Sequence, residues 1–186
     1  MIAGAGRSLP AAGTAPPGTW VGPGRLDRPR LRGPRRRPLP GALCALGIEV
    51  AEDHQGRGLS KVLLDAMADT ARRAGLGTVL VPVRPTWKER YPLVPIERYA
   101  AWTRDDGTPF DPWIRTQVGA GGTIAAASAH SSRITGTVAE WEHWTGLALP
   151  EDGEYVFPGG LAPLQVDRAR DRGAYWEPGV WITHEA

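Results

Sequence analysis

The chain has 186 residues, 41% of them hydrophobic, and a formal net charge of +2 at pH 7, which fits one globular domain with a proper core. Its single cysteine excludes an intrachain disulfide framework, and no apolar run approaches the length of a membrane span. The first residues also lack the long hydrophobic segment of a signal peptide, so we expect a cytoplasmic protein.

Residues 1–40 differ in composition from the rest of the chain. They carry eight arginines against one aspartate, a balance of +7, so the remainder is acidic. The same stretch contains eight Pro and seven Gly and cannot bury enough surface to offset its ordering entropy, so we predict that it is disordered. The arginine run at 35–37 lacks interleaved aromatic residues and a folded reading element, and we expect no specific nucleic-acid binding.

A folded domain is predicted over residues 41–186. The apolar segment 42–50 is typical of a buried strand, and the glycine-rich sequence at 55–60 follows it. The next residues show the i, i+3, i+4 spacing of an amphipathic helix, with Gly75 just past its end. A second apolar strand is predicted at 78–83, so the order strand, loop, helix, strand predicts two neighbouring parallel strands.

The loop at 55–60 is a candidate anion site. Its small residues let a ligand approach the backbone, and the unpaired N–H groups at a helix N-terminus point toward negative charge. A Walker-type loop does not fit, because Lys61 follows Ser60 in the wrong order, and a dinucleotide fingerprint would need glycine in place of Lys61. Two interpretations remain, a phosphate-binding loop and a tight turn with no ligand.

The unit 42–84 resembles the acetyl-CoA-binding core of the GNAT (N-acetyltransferase) superfamily. The family signature is Gln or Arg, two residues, Gly, one residue, then Gly or Ala. Gln55, Gly58 and Ser60 occupy these places, and Ser60 departs from the pattern while remaining small. The resemblance implies an α/β fold, a mixed central sheet with flanking helices. It also implies acyl transfer from acetyl-CoA, as cosubstrate, to an amine acceptor, and it leaves a homodimer open.

The same resemblance implies two groups of cofactor-binding residues. Loop N–H groups would hold the CoA pyrophosphate, and the strand backbone would hydrogen-bond the pantetheine arm where that strand separates from its neighbour. The loop residues are Gln55, Gly56, Arg57, Gly58, Leu59 and Ser60, and the strand residues are Ile48, Glu49 and Val50.

Catalysis of this type needs a proton acceptor for the attacking amine and a proton donor, often Tyr, for the leaving thiolate. Glu49 is the candidate base. Because alternation places its side chain opposite Ile48 and Val50, the alternative is a solvated carboxylate. Tyr91 and Tyr99 are candidate acids, and packing in a proline-rich loop is their alternative.

The fold implied by the resemblance places a strand, two helices and two more strands ahead of the strand at 42–50. Nothing in residues 1–40 has that periodicity, apart from a hint of a strand at 19–21. We therefore expect a chain that lacks the N-terminal half of the fold through truncation, a frameshift or a misplaced start. The alternative to an enzyme is then a non-catalytic remnant that binds CoA or a partner chain through an exposed sheet edge.

Residues 85–112 predict a long loop with a short helix at 96–102. Its aromatic and basic side chains either line an acceptor or cofactor site or pack the loop; they are Trp87, Lys88, Arg90, Tyr91, Arg98 and Trp102. Asp111 and Pro112 predict the start of another helix. A short strand at 122–127 and a turn at 129–132 are expected after it.

The C-terminal part begins with a capping box at 137–140 for a helix closed by Gly146. Trp141 and Trp144 are expected to share a face of that helix and to be buried against the sheet. Short strands are predicted within 153–167, and a turn at 175–179 is expected before a final strand.

Metal binding and thiol chemistry find no support in the sequence. The four histidines have no metal-ligand spacing with each other or with Cys44. Cys44 lies inside an apolar strand, and we interpret it as a small buried hydrophobic residue rather than a catalytic thiol.

Overall fold

The computed structural model describes residues 4–12, 20–21 and 40–186. Within these residues, strands form a mixed sheet flanked by helices. The strands are β1 Gly4–Ala12, β2 Trp20–Val21, β3 Pro40–Val50, β4 Thr78–Val83, β5 Thr123–Gly136, β6 Gly153–Tyr155, β7 Leu164–Asp167 and β8 Arg172–Glu185. The helices are α1 Leu59–Arg73, α2 Ile96–Ala100, α3 Pro112–Gly119 and α4 Val138–Thr145.

The order of strands along the sheet is β1-β3-β4-β8-β5-β2, and β6 and β7 form a hairpin that extends from β8. β3 and β4 are parallel because the chain crosses between them through α1, as the sequence predicts. β4 and β5 both pair antiparallel with β8, which lies between them. The predicted fold class, a mixed central sheet with flanking helices, is confirmed.

Helix α1 packs its apolar face on one side of this sheet. Its buried residues Leu64, Met67 and Ala71 join a core with the side chains of alternate strand residues. The strand partners are Leu43 and Ala45 of β3 and Val79, Val81 and Val83 of β4. The helix ends as predicted, since Gly75 adopts a left-handed φ of 70° just beyond it.

A second core lies under helix α4. Thr137 accepts from the backbone N–H of Glu140, whose side chain accepts from the N–H of Thr137, so the predicted capping box is confirmed. Trp141 is buried against β7 and β8, whereas Trp144 is 53% exposed. The expectation that both indoles are buried is wrong for Trp144, which lies in the last turn and contacts the edge of Trp141.

Two turns predicted from the sequence are wrong. The stretches 129–132 and 175–179 both lie inside long strands, β5 and β8. The pairing of β5 with β8 is irregular between Ser128 and Ser132, opposite Pro178. Because proline has no N–H to donate to the ladder, the pairing is interrupted there while both strands continue on either side.

Two strands lie within the segment that composition predicts to be disordered. β1 pairs antiparallel with β3, from Gly4 opposite Val50 to Ala12 opposite Pro40, and β2 pairs with β5. The prediction of disorder is therefore not met at 4–12 and 20–21, and the remaining residues of 1–40 lie outside the described residues. No helix in the described part of the chain is long and apolar enough to cross a membrane.

Candidate functional site

Strands β3 and β4 separate along most of their length. They pair only at Leu43 with Val79 and at Cys44 with Leu80, although β3 continues to Val50. Pro82 in β4 has no N–H to donate toward β3, which favours the separation. The register with β4 therefore ends at Cys44, and an opening separates the two strands beyond it.

The glycine-rich loop lies between the end of β3 and the start of α1. Gly56 and Gly58 have φ values of 74° and 75°, a left-handed conformation that side chains disfavour. No heavy atom lies within 4 Å of a Cβ built on either residue, so the loop surface is open. Gly58 is the N-cap of α1. Because glycine has no side chain, the backbone at this position is exposed to solvent.

The first N–H groups of α1 are available to an anion. Within the described residues, the amides of Gly58, Leu59 and Ser60 have no recorded acceptor, as expected for the first turn of a helix. The first turn also contains no acidic residue that would repel an anion.

Gln55 connects the loop to the end of β3 through hydrogen bonds. Its side-chain amide donates to the carbonyl of Val50 at 3.2 Å, and its backbone N–H donates to Glu52 at 3.2 Å. The Gln55 N–H is thus already engaged, and the amides open to a ligand begin one residue later. Gln55, the first residue of the signature, therefore holds the loop against the end of β3.

A cleft of about 200 Å³ opens at the separated strands on the side of the sheet that carries α1. We call it the α1-side cleft. Its lining combines the end of β3, the end of β4 and the first turn of α3: Ala45, Leu46, Gly47, Ile48, Val81, Pro82, Arg84 and Trp113. Ile48, one of the predicted strand residues, is therefore in contact with this cleft.

A second cleft of about 200 Å³ opens on the other face of the sheet. We call it the opposite-face cleft. It is lined by Cys44, Leu46, Pro82, Val83, Arg84, Ser131, Ser132, Glu177, Pro178, Gly179 and Trp181. Because Leu46, Pro82 and Arg84 line both clefts, the two adjoin at the opening between β3 and β4.

The opposite-face cleft owes its shape to the interrupted pairing of β5 with β8. Pro178 and Ser131 both line it, at the point where the ladder breaks. A Cβ on Gly179 would lie 2.7 Å from the Ser131 hydroxyl, so a side chain at this position would force Ser131 to move. Burial raises the pKa of the Cys44 thiol in this lining, which keeps it protonated and unreactive.

An ion pair lies in the wall of the opposite-face cleft. Arg84 donates from Nε to Glu177 Oε1 at 2.8 Å and from Nη2 to the carbonyl of Gly159 at 2.6 Å. Tyr175 lies 3.5 Å from the same Glu177 oxygen and accepts from the N–H of Leu161. Burial raises the pKa of Tyr175 to about 12, so this hydroxyl stays protonated near neutral pH.

Lys88 fixes the loop that carries Gly159 and Leu161. It is 1% exposed, and its ammonium donates to the carbonyls of Leu161 at 2.6 Å and Tyr91 at 2.8 Å. Burial lowers the pKa of Lys88 to about 8. This side chain therefore connects the loop that follows β4 with the loop before β7.

Glu49 lies near the end of β3 and is exposed. Its neighbour Ile48 packs against the α1-side core, so alternation places the Glu49 side chain on the face of the opposite-face cleft. It is not among the lining of either cleft. The role of Glu49 as base stays a prediction, as do the predicted roles of the loop and strand residues.

The aromatic residues of 85–112 pack against one another rather than line either cleft. Tyr99 is 1% exposed and donates its hydroxyl to Asp111 Oδ2 at 2.8 Å. Burial and this hydrogen bond raise the pKa of Tyr99 well above its usual range. Tyr91 meets Tyr99 and Trp102 with ring centroids 6.0 and 5.0 Å away. The packing interpretation thus fits these aromatic residues.

Sequence reasoning missed Arg84, Glu177 and Trp113 as cleft residues. Arg84 and Glu177 are 93 residues apart, and neither lies in a recognisable motif. The one available signal was the pair of prolines, Pro82 and Pro178, inside apolar segments of strand composition. Within the described residues, no group of three His, Cys, Asp or Glu side chains is placed to hold a metal ion.

No family model matches the chain. A curated relative, the arginine N-acetyltransferase avaD of Aspergillus versicolor, is 33% identical over an alignment of 163 residues that covers 78% of this chain and 56% of the relative. The chain thus spans little more than half the length of that protein.

Two solved structures are similar to this chain. A GNAT-like decarboxylase, GphF, in complex with isobutyryl-CoA has a TM-score of 0.52 and 21% identity over 99% of this chain and 72% of its own. The loading GNATL domain of CurA from Lyngbya majuscula has a TM-score of 0.48 and 15% identity over 78% of this chain and 55% of its own. The first of these likenesses defines the fold as GNAT-like.

With this fold and an N-acetyltransferase as a relative, the chain is a member of the GNAT superfamily. The resemblance that rests on Gln55, Gly58 and Ser60 is confirmed at the level of the superfamily.

Proposed function

We propose that this chain transfers an acyl group from acyl-CoA to an amine, with acetyl-CoA as the first donor to test. The opening between β3 and β4 carries the proposal. It has an open glycine-rich loop at one end and adjoins a cleft on each face of the sheet. A donor and an acceptor can therefore approach the same gap from opposite sides.

The α1 side is suited to the donor. The amides of Gly56 to Ser60 would hold the pyrophosphate, supported by the positive end of the α1 dipole. The backbone of Ile48 and Glu49, on the part of β3 that borders the opening, would hydrogen-bond the pantetheine arm. The carbonyl of Val50 already accepts from Gln55, so only its other groups are open to that role.

The reaction proposed is a direct acyl transfer. The nitrogen lone pair of a neutral amine forms the new N–C bond, the C–S bond breaks, and CoA leaves as a thiolate that takes up a proton. The proton lost by the amine passes to a carboxylate, for which Glu49 is the proposed acceptor. Glu49 lies on the strand that borders the opening, which supports this role.

Arginine is the first acceptor to test, because the curated relative is named as an arginine N-acetyltransferase. The cytoplasmic location, the acetyl group as the cargo and the homodimer remain predictions. We also keep the non-catalytic alternative, in which the chain binds CoA without turnover.

Calorimetric titration with acetyl-CoA tests the donor site. Gly58→Asp adds a side chain at a φ of 75° and a negative charge beside the proposed pyrophosphate, so we expect affinity to fall by about 100-fold or more. Gly75→Asp is the matched control, since its φ is 70° and it lies at the other end of α1. Unchanged binding by the folded Gly58→Asp variant would refute the loop assignment.

Release of CoA thiol in the presence of amines tests turnover in the same samples. Saturable release that depends on an amine supports the enzyme. Saturable binding without release for any amine supports the non-catalytic alternative.

A further inference from the structure

The opposite-face cleft places one positive and one negative side chain together in a largely apolar lining. Arg84 and Glu177 form an ion pair there, next to Pro82, Pro178 and Trp181. The two side chains are 48% and 25% exposed, so the pair borders the cleft and is open to a ligand. A cleft with both charges side by side is suited to a ligand that also carries both.

Each member of the pair keeps hydrogen-bonding capacity for a ligand. Arg84 uses Nε and Nη2 for Glu177 and Gly159, and within the described residues its Nη1 has no recorded acceptor. Glu177 uses Oε1 toward Arg84 and Tyr175, and its Oε2 has no recorded donor there. One donor group and one acceptor atom thus remain at the border of the cleft.

The pair is held in position from behind. Gly159 and Leu161 lie on one loop, whose carbonyls accept from Arg84 and from buried Lys88. The same loop donates from the N–H of Leu161 to Tyr175, which contacts Glu177. Such support lowers the entropy cost of ordering Arg84 and Glu177 when a ligand binds.

We propose that the acceptor is a free amino acid, recognised as a zwitterion by Arg84 and Glu177. Its carboxylate binds Arg84 Nη1 and its ammonium binds Glu177 Oε2 in the orientation before deprotonation and acyl transfer. The ion pair, with Nε and Oε1 2.8 Å apart, places a guanidinium and a carboxylate side by side, and an amino acid likewise carries both of its charged groups on one Cα. This inference rests on the proposed function and specifies its substrate class.

A simple amine would bind Glu177 but leave Arg84 Nη1 without an acceptor from the ligand. A site that hydrogen-bonds a substrate group discriminates against the analogue that lacks it, because the polar group of the site is left unpaired. We therefore expect kcat/KM for an amino acid to exceed that for the corresponding decarboxylated amine by about 10-fold or more.

Three matched pairs of acceptors test the proposal with the full chain: arginine and agmatine, lysine and cadaverine, phenylalanine and phenethylamine. Arg84→Gln is expected to reduce the ratio of kcat/KM within each pair to near one, and Arg84→Lys to restore part of it. Glu177→Gln is expected to lower kcat/KM for both members of each pair. Arg170→Gln is the control, because Arg170 forms an exposed ion pair with Asp167 away from both clefts.

Calorimetry with each acceptor, added to protein saturated with CoA, tests recognition without turnover. Acetyl-CoA binding by each variant shows that it is folded and that its donor site is intact. Equal binding and equal kcat/KM for amino acids and amines in the unmodified chain would overturn the proposal, as would a preference that survives in Arg84→Gln. Absence of CoA release with every amine would refute the proposed function, whereas the binding comparison would still decide this inference.

Discussion

The two faces of the opening between β3 and β4 are built in different ways. On the α1 side, the candidate binding groups are backbone amides and strand edges within residues 48–60, which are continuous in sequence. On the other face, the polar groups are side chains that come from distant segments, with Arg84 and Glu177 93 residues apart. Recognition through the backbone depends on local conformation, whereas recognition through side chains depends on the completed sheet.

This difference also determines what each face tolerates. The loop needs glycine at Gly56 and Gly58 for conformational reasons, but other loop side chains can vary without removing an N–H group. The opposite-face cleft depends on Pro82, Pro178 and the close contact of Gly179 with Ser131. A change in any of these would reshape the lining, so specificity on this face is sensitive to single substitutions.

The largest effect is expected for Glu49→Gln. This variant tests whether a residue near the end of β3 accepts the proton of an amine that approaches from the opposite-face cleft. If Glu49 accepts the proton of the amine, kcat should fall by about 100-fold to 10,000-fold, while affinity for acetyl-CoA stays unchanged. Steady-state kinetics and calorimetry measure the two quantities separately.

Glu52→Gln provides the control for that experiment. Glu52 is exposed and lies in the short turn just after β3, so Glu52→Gln removes the same charge three residues further along the chain and outside the strand. Equal turnover in Glu49→Gln and the unmodified chain would contradict the role of Glu49 as base and favour the alternative, a solvated carboxylate.

The α1 side could be predicted from the sequence because its signals are local. The loop, the helix periodicity and the left-handed glycine after α1 each depend on residues within a few positions of one another. The capping box at Thr137 and Glu140 and the N-cap at Asp111 are local in the same sense, and all of them are present.

The opposite face could not be predicted because its determinants are set by pairing across the sheet. Pro178 in a glycine-containing stretch favours a turn locally, but β5 pairs with Glu177 and Gly179 on either side of it, and this pairing keeps the stretch extended. The serine-rich stretch at 129–132 likewise follows the ladder beyond its interruption. The contact of Arg84 with Glu177 follows only once these strands are in register.

The two lysines of the chain allow a comparison of how much one side chain on each face contributes to the free energy of unfolding. Lys61 lies on α1, where its side chain is 63% exposed and pairs with Asp65, whereas Lys88 is 1% exposed and donates to backbone carbonyls behind the opposite-face cleft. Lys88→Met should lower the free energy of unfolding by about 2–4 kcal/mol, because buried carbonyls lose their donor. Lys61→Met should change it by about 0.5 kcal/mol or less.

Denaturant unfolding measures both values, and kinetics with the paired acceptors shows what the loss of Lys88 does to the cleft. If Lys88 positions Arg84 through the loop at 159–161, a folded Lys88→Met protein should also lose part of its preference for amino acids. Equal destabilisation by the two substitutions would contradict the assignment of Lys88 as the anchor of that loop.

The smallest effect expected is a pH dependence that only the opposite-face region should show. Burial lowers the pKa of Lys88 to about 8, below the ordinary lysine value of 10.5, so between these values the unfolded chain binds the proton and the folded chain does not. Stability that depends on Lys88 must then rise with pH across this window, by about 1 kcal/mol between pH 8 and 9.

Burial raises the pKa of Cys44, which acts in the opposite direction as the unfolded thiol ionises. The difference in unfolding free energy between the unmodified chain and Lys88→Met cancels that contribution, because both proteins keep Cys44. This difference should grow from pH 8 to pH 9, whereas the same difference for Lys61→Met should stay flat. A flat profile for Lys88→Met would mean that the carbonyls of Leu161 and Tyr91 stabilise the ammonium enough to offset its burial.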